Sequence, residues 1–227
     1  MKVKGIQKSS FIDYPDKIVA VVFTGGCNFR CPYCHNRELV YNMGENIDEE
    51  ELFSELEKRK KYLDGVCITG GEPTLQQGLD EFILKLKGMG YLIKLDTNGT
   101  SPKALRDLLE RNLLDYIAMD IKAPIQNYRS VAIEKVDIET IEESIELIRE
   151  SGVDYEFRTT ICKELLSTAD ILKIAKRIKG SMKYTLQNYR DSGNILSGKS
   201  YTPYKKEELE LLREEIKGYF GKFHIRY

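Results

Sequence analysis

Residues 66–95 read VCITGGEPTLQQGLDEFILKLKGMGYLIKL and contain one complete strand–helix–strand unit. Val66–Thr69 and Leu92–Leu95 are short runs rich in β-branched and aliphatic residues. Between them Leu79, Phe82, Ile83 and Leu86 fall at i, i+3, i+4 and i+7, one apolar face of a helix. Gly88 follows the helical pattern, where a chain leaving a helix favours glycine. A strand, a helix and a second strand at this spacing predict a right-handed crossover and a parallel pair.

The same alternation extends in both directions. Strand-like runs recur at Ile18–Thr24, Tyr116–Met119, Tyr155–Thr160 and Tyr184–Leu186. Ile171, Ile174, Ala175 and Ile178 repeat the helical stripe, and Ile141, Ile145 and Ile148 make a thinner one. Asp48 with Glu51 reads as a capping box. Ser101-Pro102 and Thr202-Pro203 place a cap before a proline at the first helical position. Gly152 and Gly180 stand just beyond helical patterns. Six units result. A closed eight-unit barrel takes about 250 residues, and 17 of the 227 residues here precede the first recognised strand. The expected fold is α/β, an open, partial (β/α)6 barrel with parallel strands in one domain spanning 1–227; a doubly wound sheet is the second choice. Both gather function at the carboxyl ends of their strands.

Composition limits the function. Thirty-five Lys+Arg against 36 Asp+Glu give a net charge of −1, without the basic excess of a nucleic-acid binder. No run approaches the roughly 18 apolar residues of a membrane span. The basic N-terminus lacks the apolar core of a secretory signal. Three of the five cysteines fall within residues 27–34, which suggests a metal or cluster site in a reducing cytoplasm.

That loop, Gly25-Gly26-Cys27-Asn28-Phe29-Arg30-Cys31-Pro32-Tyr33-Cys34-His35-Asn36, follows the first recognised strand with Cys-x3-Cys-x2-Cys spacing. Three thiolates on a cubane iron–sulfur cluster leave one iron open to chelate a small molecule. The competing reading is a structural zinc site with His35 as fourth ligand, although no second ligand pair follows. Later strand ends carry Thr69-Gly70-Gly71-Glu72-Pro73, Asp96-Thr97-Asn98-Gly99, Met119-Asp120-Ile121-Lys122 and, within the fifth strand, Arg158. Taken singly, these are turns, loop caps and a salt-bridge arginine.

Together, the cysteine spacing, with Tyr33 just before the last cysteine, and Gly-Gly-Glu-Pro resemble the radical S-adenosylmethionine (SAM) superfamily. The resemblance implies a [4Fe-4S] cluster on Cys27, Cys31 and Cys34 whose open iron is chelated by SAM. It implies cofactor contacts from Tyr33, Gly70, Gly71, Glu72, Pro73, Asp96, Thr97, Asn98, Asp120, Lys122 and Arg158. Asp96-Thr97 and Met119-Asp120 resemble more narrowly the glycyl radical enzyme activating enzymes, in which such residues surround a monovalent cation beside the cofactor carboxylate. Lys122 and Arg158 would contact that carboxylate. Ser10-Phe11-Ile12-Asp13-Tyr14-Pro15 is similar to the segment before the cluster strand in these enzymes, its Asp-Tyr-Pro form looking most like anaerobic ribonucleoside-triphosphate reductase activating proteins. The implied reaction takes one electron from flavodoxin or ferredoxin, cleaves SAM to a 5′-deoxyadenosyl radical, and removes hydrogen from a glycine on a partner enzyme. A radical SAM enzyme acting on a small molecule in cofactor or metabolite biosynthesis is the rival. Leu186-Gln187-Asn188-Tyr189 lacks the ribose-contacting His of some relatives, leaving Gln187 or Asn188 as substitutes. Cys67 and Cys162 read as core residues, His224 as a terminal-strand residue, and residues 49–61 as a solvated helix face. Tyr184, Tyr189, Tyr201 and Tyr204 suit a docking surface or the core equally.

Overall fold

The computed structural model describes every residue except 134, 135, 192 and 194. One sheet of eight strands runs in sequence order: β1 (Val3–Ser10), β2 (Val19–Thr24), β3 (Gly65–Gly70), β4 (Leu92–Thr97), β5 (Tyr116–Asp120), β6 (Asp154–Ile161), β7 (Lys183–Asn188) and β8 (Lys222–Arg226). Strands β2 to β8 are parallel, and β1 lies antiparallel on β2. Sequential order with no reversal is that of a barrel and excludes the doubly wound alternative. Strands β1 and β8 are the ends of the order, so the barrel is open on that side.

The six recognised strands are β2 to β7, and two more exist. Strand β1 was hidden because its VKGIQKSS neither alternates nor runs apolar. It is an edge strand that closes its ladder against β2. Strand β8 is short and only half-buried, and it carries His224 as expected.

Among the described residues eight α-helices connect the strands: α1 (Arg37–Val40), α2 (Glu49–Arg59), α3 (Leu79–Gly88), α4 (Pro102–Glu110), α5 (Tyr128–Ala132), α6 (Ile138–Glu150), α7 (Thr168–Arg177) and α8 (Lys206–Ile216). Helix α2 starts on Asp48, whose carboxylate accepts from the N–H groups of Glu50 and Glu51. It buries Leu52 and Leu56 and leaves its charged face to water. Proline opens α4 as expected, but the Thr202-Pro203 start is corrected: α8 begins three residues later, capped at Lys205. Gly88 is still helical, and Gly90 takes the left-handed conformation (φ +84°). Gly152 and Gly180 do stand just beyond helices, and both are left-handed.

Strand alternation sorts two cores. Ala20, Val22, Ile93, Leu95, Ile117 and Met119 face outward into the apolar layer beneath the helices. Val19, Val21, Cys67, Tyr116 and Ala118 face into the barrel, where Tyr14 joins them with its ring 5.5 Å from that of Tyr116. Inward positions nearer the strand ends are polar, and they form the floor of the site.

Candidate active site

The loops at the carboxyl ends of β2 to β7 converge on a cavity of about 890 Å³. Cys27, Cys31, Cys34 and Tyr33 line it, as do Gly70, Gly71, Glu72, Asp96, Thr97, Asn98, Asp120, Lys122 and Arg158. Two predicted residues do not. Pro73 is buried beside the cavity as the first residue of a short 3-10 turn. The Met119 side chain faces outward, where a Cβ on Gly99 would meet its Cε at 2.0 Å.

The loops brace one another before any ligand is considered. Gly71 N–H donates to Thr24 O at 2.9 Å and Glu72 N–H to Gly26 O at 2.8 Å. A Cβ on Gly71 would lie 2.1 Å from Gly26 O, and one on Gly70 (φ +117°) 2.4 Å from Thr24 N. Both glycines are therefore required already by loop-on-loop contact, whatever approaches from the cavity. The Glu72 carboxylate accepts from Thr74 N–H (3.1 Å), Thr74 hydroxyl (2.6 Å), Thr97 hydroxyl (2.7 Å) and Asn98 N–H (2.6 Å). Burial nonetheless raises its pKa. The Asn98 amide donates to Asn28 at 2.8 Å, linking this loop to the cysteine loop. On the far side, Leu196 N–H donates to Cys34 O (2.8 Å) and Ser197 N–H to Pro32 O (3.1 Å). The His35 ring stacks on Tyr189, centroids 5.8 Å apart.

Beneath these loops an ion-pair chain crosses the barrel. Asp96 accepts from Lys94 and, at 3.0 Å, from Arg158; Asp120 accepts from Arg158 at 2.8 Å and from Lys122 at 2.9 Å. Burial would raise both carboxylates, but Arg158, with Lys94 on Asp96 and Lys122 on Asp120, outweighs it and holds them below the usual range. Lys94 was not singled out from the sequence. The signal was its place two residues before Asp96, on the same inward face of β4.

The donor set fits the expected cofactors. Burial pushes the Cys27 thiol up to about 12 and raises Cys31, so thiolates at these positions call for a metal centre. Among the described residues no three His, Cys, Asp or Glu side chains converge on a point that one ion could occupy. The Tyr33 hydroxyl is buried without a hydrogen-bond partner among the described residues, as suits a wall awaiting a ligand. Each carboxylate oxygen of Asp96 and Asp120 already meets a protein cation, and the Thr97 hydroxyl is committed to Glu72.

Matching against known proteins decides the family. Residues 21–178 match the model of the radical SAM superfamily. The chain belongs to the radical SAM superfamily. It is 34% identical over 99% of its length, and 95% of the other's, to a Methanocaldococcus jannaschii protein whose name places it, provisionally, among glycyl-radical enzyme activating enzymes. It is 28% identical to the pyruvate formate-lyase-activating enzyme of Clostridium pasteurianum, covering 94% of this chain and 92% of that one. Among solved structures, Streptococcus suis SuiB bound to S-adenosylmethionine superposes with a TM-score of 0.71 at 15% identity. That match covers 91% of this chain, which spans about half the length of SuiB. This radical SAM protein is thus an enzyme of radical-generating redox chemistry that uses a [4Fe-4S] cluster and SAM.

The remaining expectations divide. Gln187 and Asn188 both line the cavity, but Asn188 spends its amide on Tyr204, accepting from its N–H and donating to its carbonyl at 2.9 Å each. Tyr184, Tyr189 and Tyr204 are buried and belong to the core. Cys67 and Cys162 are buried as expected. Among the described residues no helix is long and apolar enough to cross a membrane.

Proposed function

We propose that this radical SAM enzyme installs a glycyl radical on a partner enzyme of the anaerobic ribonucleoside-triphosphate reductase type, with flavodoxin or ferredoxin as electron donor in the cytoplasm. The observation that carries this reading is the course of the cavity. Its lining reaches from the cysteine loop to Ile12 of the β1–β2 connection and to Arg226 and Tyr227 at the end of β8, the two edges of the open barrel. An enzyme that works on a protein must admit a loop of backbone, and an unpaired barrel edge offers that entrance. The M. jannaschii and C. pasteurianum relatives, matched along nearly their whole length, support the same class. The reductase type rests on the resemblance of Asp13-Tyr14-Pro15, since Tyr14 itself braces the barrel interior.

When bound, the cluster and SAM supply an electron and a carbon-centred radical able to remove hydrogen from an unactivated C–H bond. The chain's residues bind, orient and shield. Cys27, Cys31 and Cys34 hold the cluster. The backbone of Gly70 to Glu72, fixed by its bonds to Thr24 and Gly26, offers polar groups to the amino end of SAM. Lys122 and Arg158 present charged donors to its carboxylate. Tyr33 closes the wall behind the nucleoside, with Gln187 at the ribose. The bound cofactor would supply the acceptor for the hydrogen removed from the partner's glycine; the chain's own part is to hold that glycine's loop at the cavity.

The test is electron paramagnetic resonance of a candidate reductase incubated, without oxygen, with the reconstituted enzyme, SAM and a reductant. A glycyl radical signal that requires all components supports the proposal. SAM cleavage that leaves the reductase and a formate-lyase-type partner both silent, while a small molecule is consumed, transfers the function to the biosynthetic reading.

A further inference from the structure

Lys94 is 1% exposed, in the middle of β4, and its side chain points into the barrel. Its ammonium bonds to Asp96, lies 3.7 Å from Cys67 Sγ and sits 5.9 Å above the Tyr116 ring. A buried lysine is rare unless it is paired or put to use. Paired with the Asp96 carboxylate, it places a positive charge in the floor of the cofactor cavity.

The charges around it can be counted. Asp96 and Asp120 are the two carboxylates of the chain; Lys94, Arg158 and Lys122 are its three cations, and the buried Glu156 beside them is offset by its own partner Lys183 at 3.5 Å, so that pair leaves the count unchanged. Alone, the chain carries one positive charge in excess. The carboxylate of SAM would join this chain and make three of each sign, its ammonium being assigned to the Gly70–Glu72 loop and its sulfonium lying toward the cluster. A monovalent ion added to that set would leave the excess in place, in a region where uncompensated charge is costly. Without Lys94 the count reverses: two carboxylates and the incoming third face two cations, and one further ion restores the balance.

We propose that the Lys94 ammonium is a resident cation that takes the place of a bound monovalent ion, so that this protein binds SAM without one. The inference rests on the assignment of the SAM carboxylate to Lys122 and Arg158. Lys94 is here a positioning residue: it acts on the cofactor through Asp96 and the chain of ion pairs, not by contact.

Two readouts test it. The first needs no cofactor turnover: the 205Tl resonance of thallous ion in chloride-free buffer, with wild type and Lys94→Met, each with and without SAM. Wild type should leave the line sharp, and the variant should broaden it in a saturable way that potassium reverses. The second is calorimetry of SAM binding to the unreduced, cluster-loaded enzyme in potassium or tetramethylammonium salts of equal ionic strength. Wild-type affinity should be the same in both. The variant should lose about tenfold in tetramethylammonium and regain it in potassium, the usual scale of coupling between two bound species. Saturable thallous binding to wild type overturns the proposal, as does a folded Lys94→Met variant whose SAM affinity ignores potassium. Should that variant fail to fold, the wild-type thallous titration decides alone, a sharp line upholding the proposal. A wild type that binds no SAM refutes the carboxylate assignment, and the thallous arm still answers for Lys94.

Discussion

The Glu72 carboxylate accepts the backbone N–H of Asn98 at 2.6 Å, tying the end of β3 to the end of β4 across 26 residues of sequence. The same carboxylate also holds the Thr97 hydroxyl and both donors of Thr74. In Glu72→Gln one oxygen becomes an NH2 that faces donors instead of accepting from them. We expect a loss of about 1–3 kcal/mol, the cost of buried donors left unsatisfied, read by thermal melting. SAM affinity should fall with it, because both loops line the cavity. A variant as stable as wild type would show that the bond is idle.

Cys31→Ala should abolish both cluster retention and SAM cleavage. Two thiolates hold a four-iron cluster poorly, and the Cys31 position is buried too deeply for water to replace the sulfur. Iron and sulfide analysis after anaerobic reconstitution, beside a 5′-deoxyadenosine assay, checks this. Asp120→Asn should separate the two properties, with cluster content near wild type and SAM bound more weakly, because Lys122 and Arg158 lose the anion that aims them. Equal loss of both would assign Asp120 to folding.

Acid stability follows from the ion-pair chain. Asp96 and Asp120 have folded pKa values below their unfolded ones, so each contributes stability that is present above the ordinary carboxylate value of about 4 and is lost as pH falls through the depressed folded values. The melting temperature of the metal-free protein should therefore fall progressively below pH about 4. Asp120→Asn should melt lower at neutral pH and show a shallower acid decline. An acid decline identical in the two proteins would remove Asp120 as its source.

Gly71→Ala should destabilise by about 1–3 kcal/mol, the usual cost of overpacking, because its methyl group would meet the Gly26 carbonyl at 2.1 Å. Gly26 adjoins Cys27, so iron retained per chain should drop as well. Melting curves and iron analysis on the same preparation test both effects together.

Much of this was legible in the sequence because parallel strands covered by helices are apolar on both faces and stand out as short runs, as at Val19–Thr24 and Gly65–Gly70. The cysteine loop was legible by spacing, and the later motifs by their place at strand ends. Strand β1 was not, because pairing on one edge asks for no apolar pattern. Lys94 was not, because one lysine in a strand looks like a solvent-facing residue until the strand's inward face is known. The work of Glu72 was not, because its partners are reached through the fold and not through the chain. The cation site was expected from Asp96-Thr97 and Met119-Asp120, and the strand's inward face adds Lys94 two residues before Asp96.

The hydrogen bonds from Leu196 and Ser197 to the carbonyls of Cys34 and Pro32 join the segment after β7 to the cysteine loop. Air damage at the metal centre should therefore be felt far along the chain. Collapse of the loop would release these tethers and offer residues 195–204 to a protease, so nicking in that stretch would serve as a simple gauge of how intact a preparation remains.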